Sequence, residues 1–539
     1  MQTQHDTKGA IQRQSPPIMS PQRKLGNRVI AFCLLASIFT LAYPQTSLYK
    51  SVGNQATKFF HGLADGGLGF LQGDWLASTV DPLPLFSTLV RLTYQAPASG
   101  LLFYGYRWLL LGIYLASVLG IVGYVYYRFN RSKLAYLGFI ALFLASHTIR
   151  INLFEFDTAF HLHAGVAGQY ILDQELQPAT FGALILLSIC CFLYRRYFYA
   201  VASLGLAVNF HPAYLISAAL LTALYCVVLL VEARSWDKAC ALGATSLILV
   251  LPMVLYTKLV FAATSPEVFQ RAQYIITHLR IPHHAIPSVW LADGTAYAQT
   301  AIAAVGLYLA RGTRLFPVLA VPFLFGVLLT GVQVLTGNNA LALLAPWRVS
   351  VFLVPLSTYL ILGGVVDWCL RRDRTFVTKH RRAIARLGLA AIVVFCLIGA
   401  ITQVGMLTYR DNSMPMMDFV KSQRTSGQVY LLPPESRRLR KFRFYTGVPI
   451  FVNQKSHPYK DVEVLAWQER LEKAQAIYNN DPATTCSAIA NLSQTYRLTH
   501  VIFERDDRPL PCPALQSIYQ DDKYRVYQIQ SVTATTSFQ

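Results

Sequence analysis

Long apolar runs separated by short basic loops are the feature that most constrains this chain. An apolar helix needs about 20 residues to cross a bilayer, and fewer where neighbouring helices shield it. Eleven such runs lie at residues 28–44, 105–127, 134–149, 178–194, 197–210, 212–231, 239–261, 296–310, 315–335, 348–366 and 387–407. Of the 539 residues, 54% are apolar and 14% charged, against roughly 25% charged in soluble domains. We therefore expect an α-helical polytopic membrane protein with about eleven transmembrane helices.

The first apolar run could be mistaken for a signal peptide, because Arg23, Lys24 and Arg28 precede it. No convincing small-residue cleavage site follows it, and ten further runs do. We interpret it as an uncleaved first helix, preceded by a disordered cytoplasmic tail at residues 1–27.

The Lys and Arg residues predict the orientation, because the cytoplasmic loops of membrane proteins are enriched in them. With the N-terminus in the cytoplasm, every inside loop is basic and the outside loops hold only isolated cations. Topology and anionic lipid headgroups then account for the net charge of +20, so no nucleic acid partner is expected. We expect a multi-pass membrane protein whose N-terminus lies in the cytoplasm.

Residues 411–539 are predicted to form an extracytoplasmic α/β domain that follows the transmembrane domain of residues 28–410. Four segments have the composition of strands: 427–434, 448–453, 499–504 and 523–530. Residues 461–478 have the pattern of an amphipathic helix. Cys486 and Cys512 are available to pair in an oxidising compartment. Three outer segments are too long for simple turns: 45–104, 150–177 and 262–295.

Two aspartates in the first outer segment are candidates for a functional role. Asp74 precedes Trp75, whose amphipathic ring suits the headgroup boundary, and Asp81 precedes Pro82. The structural alternatives are a helix N-cap for Asp74 and a turn for Asp81. Ionisable residues of this kind collect on the predicted outer face and are nearly absent from the spans.

The second outer segment contains an E-x-D pattern, Glu155 and Asp157. On an extended backbone both carboxylates share a face, whereas on a helix Asp157 would share a face with His161. Either geometry could hold a divalent cation or position a hydroxyl group. The alternative is an interfacial amphipathic helix capped by Asp157.

Basic and imidazole side chains form a second group of candidates. Arg280 lies close to the adjacent pair His283 and His284 in the third outer segment, where phosphate contact and metal ligation are both open. Arg348 follows Trp347 at the outer boundary, where it could hold a lipid phosphate or extend to the interface. His211 lies at the tip between the fifth and sixth runs.

This arrangement resembles the C-type (GT-C fold) membrane glycosyltransferases, which include protein O-mannosyltransferases, oligosaccharyltransferase catalytic subunits and aminoarabinose transferases. The resemblance covers the cytoplasmic N-terminus, the aspartate in a long first outer loop, the acidic pair after the third span and the soluble outer C-terminal domain. The chain has E-x-D where the family has D-x-D. It is most similar to bacterial multi-pass members whose chemistry is unassigned, a resemblance that implies the inner (plasma) membrane of a bacterial cell envelope.

The resemblance implies that a sugar passes from a polyprenyl-phosphate donor to a glycan, lipid or protein acceptor, with inversion, at the outer face. It implies that Asp74 is the base, with Asp81 as its rival. Phosphate contacts fall to Arg348, Arg280, His211, His283 and His284. Glu155, Asp157 and His161 are the candidate ligands of an optional divalent metal, Mg or Mn.

Two other classes of function remain open. A transporter or flippase of a lipid or small solute predicts a polar cavity at mid-membrane depth, which the apolar spans do not favour. A non-catalytic envelope assembly protein predicts that the outer carboxylates do not converge.

Overall fold

All eleven predicted runs coincide with helices in the structure, a computed structural model that describes residues 21–153, 155–292, 294–479, 482–504 and 512–530. Most of the predicted tail, residues 1–20, lies outside the described residues, and the first helix begins at Pro21 rather than at residue 28. The helices are α1 Pro21–Ala42, α2 Ser99–Val125, α3 Lys133–Thr148, α4 Ala183–Leu193, α5 Tyr197–Phe210, α6 Leu215–Ala233, α7 Trp236–Val260, α8 Thr295–Leu309, α9 Leu315–Thr336, α10 Ser350–Arg372 and α11 Arg381–Thr408.

The lengths of these helices fall into two classes. Among the described residues, seven helical segments are long and apolar enough to cross a membrane, and they contain α1, α2, α6, α7, α9, α10 and α11. The apolar helices α3, α4 and α5 are shorter, and α8 has 15 residues. Short helices are tolerated in a bundle because their neighbours shield them from lipid. The prediction of a polytopic helical membrane protein is confirmed.

The centre of the bundle is formed by α2, α4 and α10, whose residues are mostly buried. α10 packs against α8, α3 and α2, and α4 packs against α2 and α5. By contrast, α11 has only two buried residues, Ile392 and Gly399, and lies at the periphery of the bundle.

Three long connections between the helices contain short elements of their own. The first holds Gln55–Lys58, Phe60–Asp65, Leu71–Gly73, Trp75–Ser78 and Pro84–Gln95. The second holds the hairpins Asn152–Leu153 with Phe156–Asp157 and Ala164–Gly165 with Gln169–Tyr170, and the helices Thr158–His161, Val166–Gly168 and Pro178–Gly182. The third holds Pro266–Tyr274, the π-helix Ile275–Arg280, Pro282–Ala285 and Pro287–Ala292. Shorter connections hold Tyr127–Asn130, Pro212–Tyr214, Asn339–Leu344, Pro346–Val349 and Arg374–Lys379.

A domain of sheet and helices follows α11. Its helices are α12 Met414–Ser422, α13 Asp461–Asn479 and α14 Pro482–Tyr496, with shorter turns at Arg438–Lys441 and Phe442–Thr446. Its strands are β1 Tyr430–Leu431, β2 His500–Glu504, β3 Leu515–Gln520 and β4 Tyr524–Ile529, in the spatial order β1-β2-β4-β3. β1 and β2 are parallel, and the other pairs are antiparallel. The predicted amphipathic helix and the Cys486–Cys512 disulfide are confirmed.

The predicted strand at 448–453 is wrong in its extent. Ile450 makes a single bridge to Tyr430, and no ladder continues from it among the described residues. The backbone of this segment instead serves contacts outside the sheet, because the amide of Ile450 donates to a carboxylate of the first connection.

The sheet domain and the first and third connections pack together at one end of the bundle. Phe70 N donates to Gly447 O at 2.8 Å, and a Cβ on Gly69 would lie 2.3 Å from that oxygen, so this approach requires glycine. Thr264 donates through its amide and hydroxyl to the carboxylate of Asp461. Ile275 of the third connection shares a core with Trp467 of α13. We call this end of the bundle the domain face.

Candidate functional site: cations gathered on the domain face

Four cationic side chains from four separate segments meet on the domain face, and we call Lys58, Arg280, Arg348 and Lys455 the cation cluster. Lys58 lies in the first connection, and Arg280 ends the π-helix of the third. Arg348 precedes α10, and Lys455 belongs to the sheet domain. Among the described residues, none of the four forms an ion pair with Asp or Glu. The cluster therefore carries positive charge that the protein itself leaves uncompensated.

Hydrogen bonds to neutral partners hold these cations in place. Arg280 Nε donates to His457 Nδ1 at 3.1 Å, and its Nη2 donates to the carbonyl of Lys455 at 2.8 Å. Lys58 Nζ donates to the Tyr459 hydroxyl at 2.7 Å. Since the partners carry no formal charge, these bonds position the cations without neutralising them.

The cations are close enough to perturb one another. Burial, followed by the nearby charges of Arg280, Arg440 and Lys58, lowers the pKa of Lys455 to about 8. Burial also lowers the pKa of Arg280. Crowding of like charges in a partly desolvated site is unfavourable unless an anion joins them.

Tyr459 lies among three of these cations. Burial alone would raise the pKa of its phenol, but Lys58, Arg280 and Arg348 outweigh burial and lower it. The side chain is still 41% exposed. Tyr459 is therefore accessible to a ligand beside cations from both the bundle and the sheet domain.

The imidazoles of the site are held neutral. Burial, followed by His283, lowers the pKa of His284 to about 3, and its Nδ1 lies 2.6 Å from the carbonyl of Ala167. Burial and then Arg280 lower the pKa values of both His283 and His457. Neutral imidazoles beside cations can donate a hydrogen bond to an anion without adding repulsion.

His211 completes the predicted group of phosphate contacts. Its Nε2 lies 3.4 Å from Arg348 Nη1. Its Nδ1 is buried and has no partner among the described residues. The structure thus brings together all five residues predicted to contact phosphate, since Arg280, His283 and His284 lie within six residues of each other and interact with Lys455 or Arg348.

One carboxylate acts on the cluster from its edge. Glu175 interacts electrostatically with Lys455, but it is 6% exposed and burial raises its pKa, which favours the neutral acid. Its oxygens accept hydrogen bonds from the Ser51 hydroxyl and, at 2.8 Å, from the amide of Gln55. Glu175 therefore does little to balance the positive charge.

Asp74 is buried and fully hydrogen-bonded. Its Oδ1 accepts from the amide of Leu76 and from Arg443 Nη2, both at 2.9 Å. Its Oδ2 accepts from Arg443 Nε at 2.7 Å and from the amide of Ile450 at 2.9 Å. The carboxylate thus caps the helix Trp75–Ser78 and fastens the first connection to the sheet domain, and all of its donors are protein groups. Its predicted role as a base stays a prediction.

Asp81 is bonded less completely. Its Oδ1 accepts from the amide of Leu83 at 2.9 Å, in the turn foreseen as its structural alternative, and its Oδ2 has no partner among the described residues. His61 interacts electrostatically with Asp81 and with Lys58. Burial lowers the pKa of His61 and outweighs the effect of the Asp81 carboxylate, which alone would raise it. His61 therefore lies within electrostatic range of both Asp81 and Lys58.

The second connection does not gather its predicted metal ligands. Glu155 is exposed, and Asp157 Oδ1 accepts from the amide of Ala159 as the cap of a four-residue helix. His161 Nδ1 accepts from the amide of Asp157 at 2.9 Å, and Arg150 Nε lies 3.7 Å from Asp157 Oδ2. Among the described residues, no group of three His, Cys, Asp or Glu could hold a metal ion. One His161 ring nitrogen is engaged and a guanidinium lies beside the Asp157 carboxylate, and the optional metal stays a prediction.

His163, from the same polar stretch, points into the bundle instead. Its ring stacks on that of His147 with centroids 3.6 Å apart, and its Nδ1 lies 3.0 Å from the Tyr359 hydroxyl. The polar residues at 155–163 therefore divide between the surface and the core.

Sequence reasoning missed the contribution of the sheet domain. Lys455, His457 and Tyr459 follow one another at alternate positions between the bridge at Ile450 and the start of α13. The sequence did show a loop rich in polar and aromatic residues between regular elements. Such loops commonly carry binding residues. Lys58 offered no comparable signal.

Comparison with known proteins adds similarity of two kinds. Residues 411–474 match a family described as a domain of unknown function (DUF6798). No curated protein matches the chain. Two structures of ArnT from Cupriavidus metallidurans are similar over 94% of this chain and 98% of theirs: one bound to undecaprenyl phosphate, at 13% identity, and one in the apo state, at 12%, each with a TM-score of 0.44.

Proposed function

We propose that this chain is a membrane glycosyltransferase that moves a sugar from a polyprenyl-phosphate donor to an acceptor on the domain face. The observation that carries the proposal is the cation cluster, in which four cations from four segments lack a paired carboxylate. Lys and Arg side chains are the groups with which proteins bind phosphate, and a site that already concentrates positive charge favours an anionic ligand.

The position of the cluster favours a lipid-linked phosphate over a soluble one. Arg348 lies in the turn that leads directly into α10, and His211 immediately follows α5. Both side chains therefore lie where apolar helices give way to the polar connections. A phosphate at this level can be held while its polyprenyl chain remains in the hydrocarbon region.

The transfer step assigns one role to each group. The acceptor oxygen attacks the anomeric carbon of the sugar, its proton passes to Asp81, and the bond from that carbon to the phosphate oxygen breaks. The phosphate leaves with the electron pair, and Arg348, Arg280 and the lysines stabilise its growing charge. A single displacement of this kind inverts the configuration. No step is routed through a metal.

Asp81 is preferred to Asp74 as the base for a geometric reason. A base must reach the acceptor proton through a free lone pair, and of these two aspartates only Asp81 has a carboxylate oxygen without a protein donor among the described residues. Asp74 in this proposal holds the sheet domain over the site through Arg443.

The proposal also places the domain face outside the cytoplasm, because the loop at the opposite end of the bundle is the most basic. Its cations are Arg371, Arg372, Arg374, Lys379, Arg381, Arg382 and Arg386. In a variant without the exposed cysteines Cys240 and Cys369, an impermeant thiol reagent should label Gln516→Cys and spare Thr378→Cys in intact cells. The reverse labelling would invert the topology and remove the proposal.

Turnover by purified protein in lipid nanodiscs, with undecaprenyl-phosphate-linked sugars as donors, tests the function directly. We expect Asp81→Asn to lower product formation by roughly 10²-fold, the usual scale for losing a general base, with donor binding unchanged. Asp65→Asn, the same change at an exposed residue of the same connection, is the matched control. Donor binding by the wild type without turnover would favour a transporter or flippase, and neither binding nor turnover would favour an assembly protein.

A further inference from the structure

A cavity on the domain face differs from the cation cluster in its chemistry. It has a volume of about 400 Å³ and lies between the third connection and the C-terminal end of α9. Pockets that hold small ligands are commonly about 300–1,000 Å³. No described residue that lines it is Lys, Arg, Asp or Glu.

Neutral hydrogen-bonding groups surround this cavity instead. Its polar lining consists of His278, Ser288, Gln333, Asn338 and Asn339. Their internal bonds leave capacity unused: Gln333 Nε2 donates to the carbonyl of Ala285 at 2.5 Å, and Asn338 Oδ1 caps the helix Asn339–Leu344. Gln333 Oε1, Asn338 Nδ2, Asn339 Nδ2 and the Ser288 hydroxyl have no protein partner among the described residues.

The cavity thus offers both hydrogen-bond donors and hydrogen-bond acceptors around one uncharged space. Amide and hydroxyl groups of this kind match the hydroxyl groups of a sugar, each of which both donates and accepts. The ring of His278 stacks on that of Tyr274 with centroids 4.2 Å apart, which fixes one flat wall. A phosphate would find no cation here among the described residues, so the two sites select different chemistry.

The surroundings of the cavity indicate that its ligand has an apolar part as well. Val334 lines it and is 61% exposed, and the adjacent Leu335 is 87% exposed at the last turn of α9. Apolar side chains that project from a spanning helix face lipid. A ligand in this cavity can therefore keep its chain in the bilayer and its head among the amides.

We propose that this cavity binds the uncharged sugar headgroup of an amphipathic lipid. The π-helix Ile275–Arg280 joins the two sites, because it contributes His278 to this cavity and Arg280 to the cation cluster. The proposal concerns binding at a separate cavity and does not depend on the transfer reaction.

The test is photocrosslinking of the full-length protein in nanodiscs with an octyl β-glucoside that carries a diazirine on its chain. We expect crosslinked peptides from residues 278–291 and 333–342. Unlabelled octyl glucoside should compete, whereas free glucose and octylphosphocholine should not. The glucose arm separates a lipid headgroup from a free sugar, and the phosphocholine arm separates sugar recognition from partition into lipid.

Asn339→Leu should weaken competition by octyl glucoside about tenfold, the equivalent of one lost hydrogen bond, and Ser288→Val provides a second variant if the first does not fold. Gln270→Leu makes a comparable change on the exposed surface of the same connection and should leave competition unchanged. Crosslinks spread evenly over the helices, equal competition by octylphosphocholine, or full competition in both cavity variants would overturn the proposal.

Discussion

Two groups of charge on the domain face differ in how their charge is balanced. Asp74 and Arg443 form an ion pair whose side chains are 0% and 3% exposed, and Ile450 and Leu76 supply the remaining donors. The cation cluster is only half-buried, and its positive charge has no paired carboxylate among the described residues. Both join the sheet domain to the bundle.

The difference separates a structural role from the proposed binding role. The Asp74 carboxylate accepts four hydrogen bonds and has its charge balanced without a ligand, and removing its partner leaves an uncompensated charge. A crowded set of cations is incomplete, and it is stabilised when an anion arrives. Charge balance therefore distinguishes the two sites better than burial or the identity of the residues.

The largest expected effect comes from breaking the balanced site. Arg443→Met leaves the Asp74 carboxylate buried without its partner, so the free energy of unfolding should fall by about 3–5 kcal/mol. Thermal unfolding of the purified protein measures this change. The double variant Asp74→Leu/Arg443→Met should recover much of the loss, because it removes both charges.

Arg410→Met is the matched control, since its ion pair with Asp418 is exposed and should contribute little. Equal destabilisation by Arg410→Met and Arg443→Met would contradict the expected difference between an exposed ion pair and a buried one.

Removing one cation from the cation cluster should weaken ligand binding without lowering the stability of the ligand-free protein. Arg348→Gln should weaken the binding of undecaprenyl phosphate about 10- to 100-fold, because a charge-assisted hydrogen bond to phosphate contributes about 1.5–3 kcal/mol. The unfolding midpoint of the ligand-free protein should not fall, because the substitution relieves repulsion. Titration in nanodiscs measures the first quantity and thermal unfolding the second.

Arg150→Gln provides the comparison for Arg348→Gln, because Arg150 is an exposed arginine outside the cluster. A stability loss in Arg348→Gln with unchanged affinity would assign Arg348 to the structural class.

The smallest expected effect is a pH dependence that runs in opposite directions for affinity and stability. The pKa of Lys455 is about 8, below the usual 10.5 of lysine. Between these two values the folded protein binds fewer protons than the unfolded chain, so the stability of the ligand-free protein should rise with pH. Affinity for undecaprenyl phosphate should fall up to about tenfold between pH 7 and 9.5, because Lys455 loses its charge.

Variants at the same position isolate this contribution. Lys455→Arg should keep tight binding at pH 9.5, and Lys455→Gln should bind weakly with little dependence on pH over that interval. An affinity that rises with pH in the wild type would contradict the assignment of Lys455 to the phosphate site.

The helices could be predicted from the sequence because the length and composition of an apolar run decide whether it spans a bilayer. The strand at 448–453 could not, because pairing depends on a partner elsewhere in the chain and the amide of Ile450 bonds to Asp74 instead. β3 was missed for a related reason, since its residues lie mostly at an exposed edge and show no regular alternation.

Only part of the site could be predicted, because the local sequence does not show which distant segments meet. Arg280 and Arg348 stand out because few cations lie on the outer side of the predicted topology. Lys58 and Tyr459 are separated by 401 residues, and Asp74 and Arg443 by 369. No local sequence pattern can predict contacts between residues so far apart in the chain. The cap predicted as the alternative for Asp74 is present, but the cap alone does not reveal the arginine that completes it.

The central claim is that the cation cluster binds the phosphate of a polyprenyl lipid. The most direct measurement compares the unfolding midpoint of the protein in nanodiscs with undecaprenyl phosphate and with undecaprenol, which has the same chain without the charge. We predict that the phosphate raises the midpoint of the wild type and not of Arg348→Gln, and that the alcohol changes neither. Equal shifts by the two lipids, or an undiminished shift by the phosphate in Arg348→Gln, would contradict the claim.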